Sequence, residues 1–314
     1  MTAYAAPRTV AEAVALLAAL PDAAVVAGGT DLVVGVRQGK GAWPAALVAI
    51  HEIAELRGIA GAGGAAGAPS GPDARGGLRL GALATHADVA GDPRVRAAFT
   101  ALADASAIVG SPATRGSGTV GGNLANASPA MELGAPLLVH AAEVELAGPG
   151  GSLRRLAVAD FLLGPGRSAA RPGELLVAVF LPAPPLRSGS AYVRLQYRRA
   201  MEIAVVGAAA LVTLTEDGTV AEARIALTAV APTCILAPAA AAALVGRLPT
   251  ADALADAARA AATVAAPIGD VRASAAYRAA QLPVAVRRAL AAAVARAQGD
   301  HAAAPVPLSN SWSP

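Results

Sequence analysis

Helical and extended spacings of apolar positions alternate at the start of the chain. Residues 9–20 repeat apolar side chains with helical spacing, which predicts an amphipathic helix with Thr9 as its N-cap. Short apolar runs at residues 23–27 and 47–50 predict strands. Because helix and strand alternate, we expect an α/β unit over residues 1–56.

A second unit of strands and helices follows, over residues 57–178. Strands are predicted at residues 78–83 and 143–146, where apolar runs are bounded by turn-forming residues. Residues 61–77 are rich in glycine, alanine and proline and show no apolar period. This composition predicts a surface loop inserted between two strands, with no functional role assigned to it.

Extended patterns dominate the next part of the chain. Strands are predicted at residues 175–181, 192–197, 204–215 and 223–230. Residues 216–218 join the last two as a hairpin. Helical spacing returns after residue 249. We assign residues 179–290 to a C-terminal domain of antiparallel sheet plus helices, and residues 291–314 to a disordered tail. The whole chain is therefore predicted to be α+β.

The composition excludes several classes of protein. Of the 314 residues 55% are hydrophobic, yet no apolar run reaches the roughly 20 residues that span a bilayer. The N-terminus lacks the basic and apolar regions of a secretory signal, so we expect a cytoplasmic protein without a transmembrane segment. Cys234 is the single cysteine, which excludes an internal disulfide and a cysteine-ligated zinc or iron–sulfur site built by this chain alone. Any metal redox centre is expected on a partner.

The charged side chains indicate neither nucleic-acid binding nor acid–base catalysis. The formal net charge is +3, and the arginines are scattered along the chain. The four histidines are isolated, without the spacing of a metal site: His51, His86, His140 and His301. We interpret each as structural or solvent-facing. No metal ligand and no catalytic side chain is therefore predicted.

A strand, a glycine turn and a helix start form the first candidate site, called the first loop. It reads Val26-Ala27-Gly28-Gly29-Thr30-Asp31-Leu32. Glycines let backbone N–H groups approach a phosphate without a Cβ in the way, and a helix N-terminus favours an anion. Thr30 is expected to cap the helix and to donate its hydroxyl to a phosphate. The pattern has neither the spacing of a Rossmann turn nor the ending of a P-loop, and an ordinary turn is the alternative.

The second candidate site is the glycine-rich segment, residues 111–126. It contains Thr119, Val120, Gly121, Gly122 and Asn123. A segment with so few apolar residues would pack poorly in a core. Its glycines and its side-chain hydroxyl and amide groups could instead supply hydrogen-bond donors around an extended phosphate. Together with the first loop it could hold a diphosphate from both sides, whereas a long surface loop is the alternative.

Several segments in order along residues 4–290 resemble a known family. They read AGGTDL (27–32), TVGGNLANASP (119–129), FLLGPGRS (161–168), PGELL (172–176), RRAMEIAVV (198–206) and DVRASAAYR (270–278). Together they closely resemble the medium, FAD-binding subunit of the molybdenum hydroxylases. That family includes the flavoprotein subunit of aerobic carbon monoxide dehydrogenase and the flavin portion of xanthine dehydrogenase.

The resemblance implies a PCMH-type FAD-binding domain of two α/β subdomains, with the C-terminal domain packed against it. It implies a noncovalent FAD between the subdomains, with its diphosphate held by the two candidate segments. Glu132 would lie near the adenosine end, Leu176 would pack on the isoalloxazine ring, and Arg194 stands where many members carry lysine. The implied FAD-binding residues are Val26, Ala27, Gly28, Gly29, Thr30, Asp31, Leu32, Thr119, Val120, Gly121, Gly122, Asn123, Glu132, Leu176 and Arg194.

The resemblance also implies an oxidoreductase subunit that transfers electrons. They would pass from iron–sulfur clusters of a small partner subunit through FAD to NAD, a quinone or oxygen. The molybdenum cofactor, a molybdopterin, would belong to a large partner subunit, in a dimer of heterotrimers. Two alternatives stay open: a self-contained FAD-dependent oxidoreductase of the same superfamily, and a non-catalytic flavin- or nucleotide-binding assembly subunit.

Overall fold

The computed structural model covers most of the chain. It describes residues 2–39, 41–62, 77–198 and 200–303, and the backbone of residues 308–309. Residues 63–76, the bulk of the predicted surface loop, lie outside the described residues. So do residues 304–307 and 310–314 of the predicted tail.

The N-terminal subdomain is a three-stranded parallel sheet with two helices. Its elements are β1 (Ala3–Ala5), α1 (Val10–Ala19), β2 (Ala23–Val26), α2 (Leu32–Arg37) and β3 (Ala46–Ala49). Thr9 caps α1 as predicted, because its Oγ1 accepts the Glu12 amide at 3.1 Å. β3 lies between β1 and β2 and pairs in parallel with both. β2 therefore leads directly into the first loop.

The second subdomain is a five-stranded sheet with helices between its strands. Its elements are β4 (Ile59–Gly61), β5 (Leu78–Gly81), α3 (His86–Gly91), α4 (Pro93–Ala98), α5 (Thr100–Ala107), α6 (Pro112–Ser117), α7 (Val120–Ala125), α8 (Gly134–Val139), β6 (Glu143–Gly148), β7 (Ser152–Ala157), α9 (Val158–Phe161), β8 (Leu162–Gly164), β9 (Arg167–Ser168) and β10 (Leu175–Leu181). The order β4-β5-β10-β6-β7 is antiparallel throughout, and β8 pairs with β9 separately. β10 is central although it comes last in the chain.

Two short helices occupy the glycine-rich segment, where the sequence favours a loop. α6 follows the cap Ser111, whose Oγ accepts the Thr114 amide at 3.2 Å, and Pro112 lies in its first turn. α7 follows the cap Thr119, whose Oγ1 accepts the Gly122 amide at 3.0 Å. A glycine in a helix interior destabilises the helix by about 1 kcal/mol relative to alanine. The hydroxyl cap at the N-terminus of each of these two helices stabilises it by a similar amount.

The C-terminal domain is a five-stranded sheet covered by a long helix. Its elements are β11 (Ser188–Gln196), β12 (Val206–Leu214), β13 (Val220–Thr228), β14 (Ile235–Leu236), α10 (Pro238–Ala242), α11 (Ala251–Ala261), α12 (Ala275–Ala297) and β15 (Leu308–Ser309). The order is β14-β13-β12-β11-β15, antiparallel except for the parallel pair of β11 and β15. The predicted hairpin joins β12 and β13, with Gly218 at φ +84° in its turn.

Two of the predicted domain limits need correction. α12 includes residues 291–297, which therefore do not belong to a tail. Arg296 fixes this last turn, because it donates to both carboxylate oxygens of Asp104 at 2.7 and 3.0 Å. The limit predicted after residue 178 falls inside β10, whose pairing with β5 continues to Leu181. The other limits stay predictions.

Both faces of the C-terminal sheet are buried. On one face Tyr192 and Leu211 join the core of the second subdomain. On the other face Val193 and Leu195 pack in a separate core with α11 and α12. Because alternate residues of β11 belong to different cores, this strand is fixed between the two domains.

Candidate cofactor-binding site

A cavity of about 980 Å³ lies between the first loop and the second subdomain, with residues 201–203 of the C-terminal domain along one side. Its volume falls within the range of about 300–1,000 Å³ that is usual for ligand sites. All but two of the residues implied as FAD ligands line it. The exceptions are Val120, which is fully buried, and Arg194, which lies behind the wall.

Backbone amides of the first loop are available to a ligand. Gly29 turns the chain toward α2 with a φ of +66°. Within the described part of the chain, the amides of Gly28, Gly29 and Thr30 donate to no acceptor. The cap predicted for Thr30 is wrong, because Asp31 takes the cap position and makes no side-chain bond there. The hydroxyl of Thr30 is consequently not used in capping α2.

Gly28 sets the distance between the first loop and the glycine-rich segment. A Cβ at Gly28 would lie 1.8 Å from the carbonyl oxygen of Ser117 and 3.2 Å from the amide nitrogen of Gly118. No side chain fits at such a distance from rigid backbone, so glycine is required here for close approach. The two segments therefore meet directly through their main chains.

Three amides of the glycine-rich segment are used within the protein. Those of Val120 and Gly121 donate to the carbonyls of Ala84 and Ala82, both at 2.9 Å. The Gly122 amide donates to Oγ1 of Thr119, the cap of α7. The bonds of Val120 and Gly121 hold α7 against the end of β5. The Thr119 amide donates to no acceptor among the described residues, so it stays available to a ligand together with the side chains of this segment.

Two enclosed polar atoms beside the cavity have no hydrogen-bond partner among the described residues. They are Oδ1 of Asn123 and Nδ1 of His86. Burial, followed by the charge of Arg115, lowers the pKa of His86 to about 4, so its ring is neutral at pH 7. Sequence reasoning missed His86, since an isolated histidine carries no spacing signal and only the fold brings it to the cavity.

Glu132 lines the cavity, but the C-terminal domain engages both of its oxygens. Tyr192 donates its hydroxyl to Oε2 at 2.6 Å, and Arg194 forms an ion pair with Oε1. Burial raises the pKa of Glu132, whereas both partners favour its charged form. Arg194 also donates to the carbonyls of Ile108 at 2.9 Å and Glu202 at 3.2 Å. No local pattern in the sequence signals this network, because its members are far apart in the chain.

Apolar side chains complete the walls of the cavity: Val25, Val26, Ile50, Phe161, Leu175, Leu176 and Ile203. Leu176 projects from the central strand β10 and is 7% exposed. A largely apolar wall with a few polar groups is typical of cofactor sites. It suits a planar aromatic ring such as an isoalloxazine.

The donor set of the cavity fits FAD. Buried polar atoms without partners are rare in folded proteins, and a polar ligand would satisfy Oδ1 of Asn123, a residue that lines the cavity. The free amides of the first loop are donors of the kind that bind phosphate oxygens. The apolar wall provides for the ring system.

Comparison with known proteins decides the family. Residues 1–184 match the family described as FAD binding domain in molybdopterin dehydrogenase, and residues 191–293 match the CO dehydrogenase flavoprotein C-terminal domain. The chain belongs to the FAD-binding subunits of the molybdopterin dehydrogenases. The family resemblance and the FAD cofactor predicted from the sequence are thereby confirmed.

Curated relatives of this FAD-binding subunit come from several bacteria. The carbon monoxide dehydrogenase medium chain of Afipia carboxidovorans is 34% identical over 77% of this chain and 79% of its own length. A putative xanthine dehydrogenase FAD-binding subunit of Escherichia coli K12 is 32% identical over 72% and 73% of the two chains. The chain is accordingly an oxidoreductase subunit of the carbon monoxide and xanthine dehydrogenase type.

Solved structures confirm the predicted α+β fold class. A chain of carbon monoxide dehydrogenase from Hydrogenophaga pseudoflava superposes with a TM-score of 0.85 at 35% identity, covering 94% of this chain and 98% of that one. A chain of quinoline 2-oxidoreductase from Pseudomonas putida 86 gives a TM-score of 0.82 at 29% identity, with 95% and 98% covered. The match therefore extends over both domains.

Three further findings limit the chemistry of the described residues. No helix within them is long and apolar enough to cross a membrane. In the same part of the chain, no group of three or more histidine, cysteine, aspartate or glutamate side chains is placed to hold a metal ion. Cys234 is buried, and burial raises the pKa of its thiol to about 12. It is therefore an unreactive core residue at neutral pH.

Proposed function

We propose that this chain is the electron-transfer subunit of a molybdenum-containing hydroxylase complex. It takes electrons from iron–sulfur clusters of a partner subunit and passes them through FAD to an external acceptor such as NAD, a quinone or oxygen. The observation that carries the proposal is the cavity between the first loop and the glycine-rich segment, in a chain of the FAD-binding subunit family. FAD supplies reversible one- and two-electron chemistry when bound.

The residues of the cavity divide into four roles in this proposal. The first loop, residues 26–32, binds the diphosphate through its free amides and the hydroxyl of Thr30. Residues 119–123 close the site from the opposite side, with Asn123 as their polar contact. Leu176 packs on the ring system. Glu132 borders the adenosine end, where Arg194 holds it in position.

The glutamates of the cavity support a relay over a self-contained oxidoreductase; Asp31, whose pKa burial raises, is the lining carboxylate without an arginine partner among the described residues. Each lining glutamate is paired with an arginine: Glu132 with Arg194, Glu174 with Arg154, and Glu202 with Arg198. The hydrogen bond from Arg154 lowers the pKa of Glu174. Burial acts to raise the pKa of Glu202, but hydrogen bonds from Arg198 and a backbone amide lower it overall. Glu174 and Glu202, whose pKa values are lowered, are therefore poor proton acceptors, which favours assigning substrate oxidation to a partner.

The partners in this proposal are an iron–sulfur small subunit and a molybdopterin-containing large subunit, assembled in the cytoplasm as a dimer of heterotrimers. Relatives of this chain are named for carbon monoxide, xanthine and nicotinate dehydrogenases. Similar FAD subunits therefore serve different substrates. This supports placing substrate specificity on the large subunit.

The proposal is tested on the complex purified through an affinity tag on this chain. We expect about one FAD per chain, released intact on denaturation, together with iron and molybdenum in the co-purifying subunits. Dithionite should bleach the flavin, and addition of NAD, a quinone or oxygen in separate anaerobic cuvettes should identify the acceptor that restores its absorbance. A chain that binds FAD alone and oxidises a small molecule directly would contradict the relay, and one that prefers adenine nucleotides to FAD would contradict the flavin assignment.

A further inference from the structure

His86 is a cavity residue whose ring nitrogens the protein leaves unused. Its side chain lines the cavity although the residue is only 3% exposed. Nδ1 is enclosed and has no partner among the described residues, and no hydrogen bond joins Nε2 to another described atom. Because Nδ1 is sealed off while the ring borders the cavity, Nε2 is the nitrogen that a ligand can reach.

Burial decides where the single proton of the neutral ring resides. Desolvation, with a contribution from Arg115, keeps the pKa of His86 near 4, so the ring carries one proton at neutral pH. A proton on Nδ1 would leave a buried N–H without an acceptor, which costs the full desolvation of that group. A proton on Nε2 leaves Nδ1 as an unpaired acceptor instead, but it places the N–H beside the cavity, where a ligand can accept its hydrogen bond. This tautomer therefore offers an N–H donor to the cavity.

The imidazole is held where the first loop and the glycine-rich segment meet. The His86 amide donates to the carbonyl of Gly118 at 3.1 Å, and the preceding Thr85 forms a β-bridge with Thr119. A Cβ at Gly118 would lie 3.1 Å from Cδ2 of the ring. The residue before Gly118 is the one that contacts Gly28 of the first loop through its carbonyl. The ring is thus packed against rigid backbone at this junction.

We propose that Nε2–H of His86 donates a hydrogen bond to the diphosphate of the bound dinucleotide. The inference rests on the proposed FAD site and adds a side-chain ligand to it. A diphosphate is the acceptor that fits this position, because the first loop offers its free amides from one side of the junction and His86 offers its donor from the other. The positive charge of Arg115 next to the ring favours an anion there.

The test compares ligands that contain or lack the diphosphate. Flavin-free protein is titrated with FAD, with ADP, which has the diphosphate but no flavin, and with riboflavin, which has no phosphate. We expect His86→Ala and His86→Asn to lower the affinities for FAD and for ADP by the same factor, about tenfold to a hundredfold. This is the effect of losing a hydrogen bond to a charged group. Riboflavin binding should not change.

A matched pair of variants separates a hydrogen bond from a packing effect. Glutamine places its amide nitrogen near the position of Nε2, whereas asparagine reaches only that of Nδ1, so His86→Gln should recover most of the affinity. His51→Ala, at an exposed histidine outside the cavity wall, is the control and should bind FAD as the wild type does. If His86→Ala does not fold, the glutamine and asparagine variants are compared by the phosphorus NMR shifts of bound FAD.

The outcomes distinguish this inference from the function on which it rests. Wild-type protein that takes up no FAD would contradict the proposed function. Wild-type protein that binds FAD, with unchanged affinity for FAD and ADP in both His86→Ala and His86→Asn, would overturn the role of His86 alone. If the variants lose as much affinity for riboflavin as for FAD, the role of His86 is overturned as well, because that result would place the imidazole beside the flavin ring.

Discussion

Arg194 of β11 and Glu132, two residues before α8, form an ion pair across the boundary between the FAD-binding domain and the C-terminal domain. Their side chains are only 1% and 7% exposed. Arg194 also donates to carbonyls on both sides of that boundary, at Ile108 and Glu202. Because Glu132 borders the cavity and Arg194 lies behind it, the C-terminal domain holds part of the cavity wall in place.

Removing one partner of this pair is expected to destabilise the protein. Glu132→Leu leaves the guanidinium of Arg194 buried without its counter-charge, at a cost of about 3–5 kcal/mol. The double variant Glu132→Leu/Arg194→Met should cost less than the sum of the single changes, because it leaves no buried charge behind. Urea denaturation of the three variants measures the coupling.

As a control, Glu222→Gln breaks an exposed pair with Arg224 and should cost about 1 kcal/mol or less. If the double variant loses as much free energy of unfolding as the two single variants together, the pair does not act as a unit.

Gly28→Ala is expected to separate the two segments that enclose the cavity. Its Cβ would lie 1.8 Å from the backbone carbonyl of Ser117, so the main chain must shift. We expect a loss of FAD affinity of at least tenfold, since displacement of the first loop by about 1 Å moves its amides out of hydrogen-bonding range. Equilibrium titration of flavin-free protein with FAD measures the loss. Gly116→Ala is the matched control, because nothing lies within 4 Å of its Cβ position. Equal affinities in the two variants would show that the contact at Gly28 is not needed for binding.

Local sequence identified the two segments that line the cavity because their features are local. A glycine at φ +66° and a close backbone approach require the residues found at positions 28 and 29, whatever surrounds them. The helix cap at Thr9 is likewise a matter of neighbouring residues. For the same reason α1, β2 and β3 follow from the hydrophobic pattern, whereas β1 was not predicted.

The remainder of the site depends on contacts between distant parts of the chain. Tyr192 and Glu132 lie 60 residues apart, and only the docking of β11 on the second subdomain brings them together. The neutral state of His86 follows from burial, which no spacing along the chain encodes. The tail prediction from residue 291 was wrong at its start because Arg296 is anchored by Asp104, 192 residues earlier.

Gly122→Asp is expected to abolish retention of FAD. The residue lines the cavity, and a carboxylate there would place a negative charge beside the proposed diphosphate site. The Cβ itself meets only Oγ1 of Thr119 at 3.0 Å, so the effect should come mainly from charge and not from loss of the fold. The flavin to protein ratio after gel filtration measures retention, and Gly122→Asn separates charge from size. Gly116→Asp introduces the same charge in α6 outside the cavity wall and should keep its flavin. Stoichiometric flavin in Gly122→Asp would remove α7 from the site.

His140 is expected to make the protein less stable as the pH falls. Burial, with a contribution from Arg224, lowers its pKa from 6.5 to about 3. Between these values the unfolded chain binds a proton that the folded protein does not, so the free energy of unfolding decreases with falling pH by up to about 1.4 kcal/mol per pH unit. His140→Gln can still form a hydrogen bond to Ser190, whose Oγ lies 3.1 Å from Nε2, but it does not titrate. Urea denaturation between pH 7 and pH 4.5 should therefore give a shallower slope for His140→Gln than for the wild type, with the exposed His51→Gln as control. Parallel slopes would mean that the folded protein takes up the proton at His140 as readily as the unfolded chain.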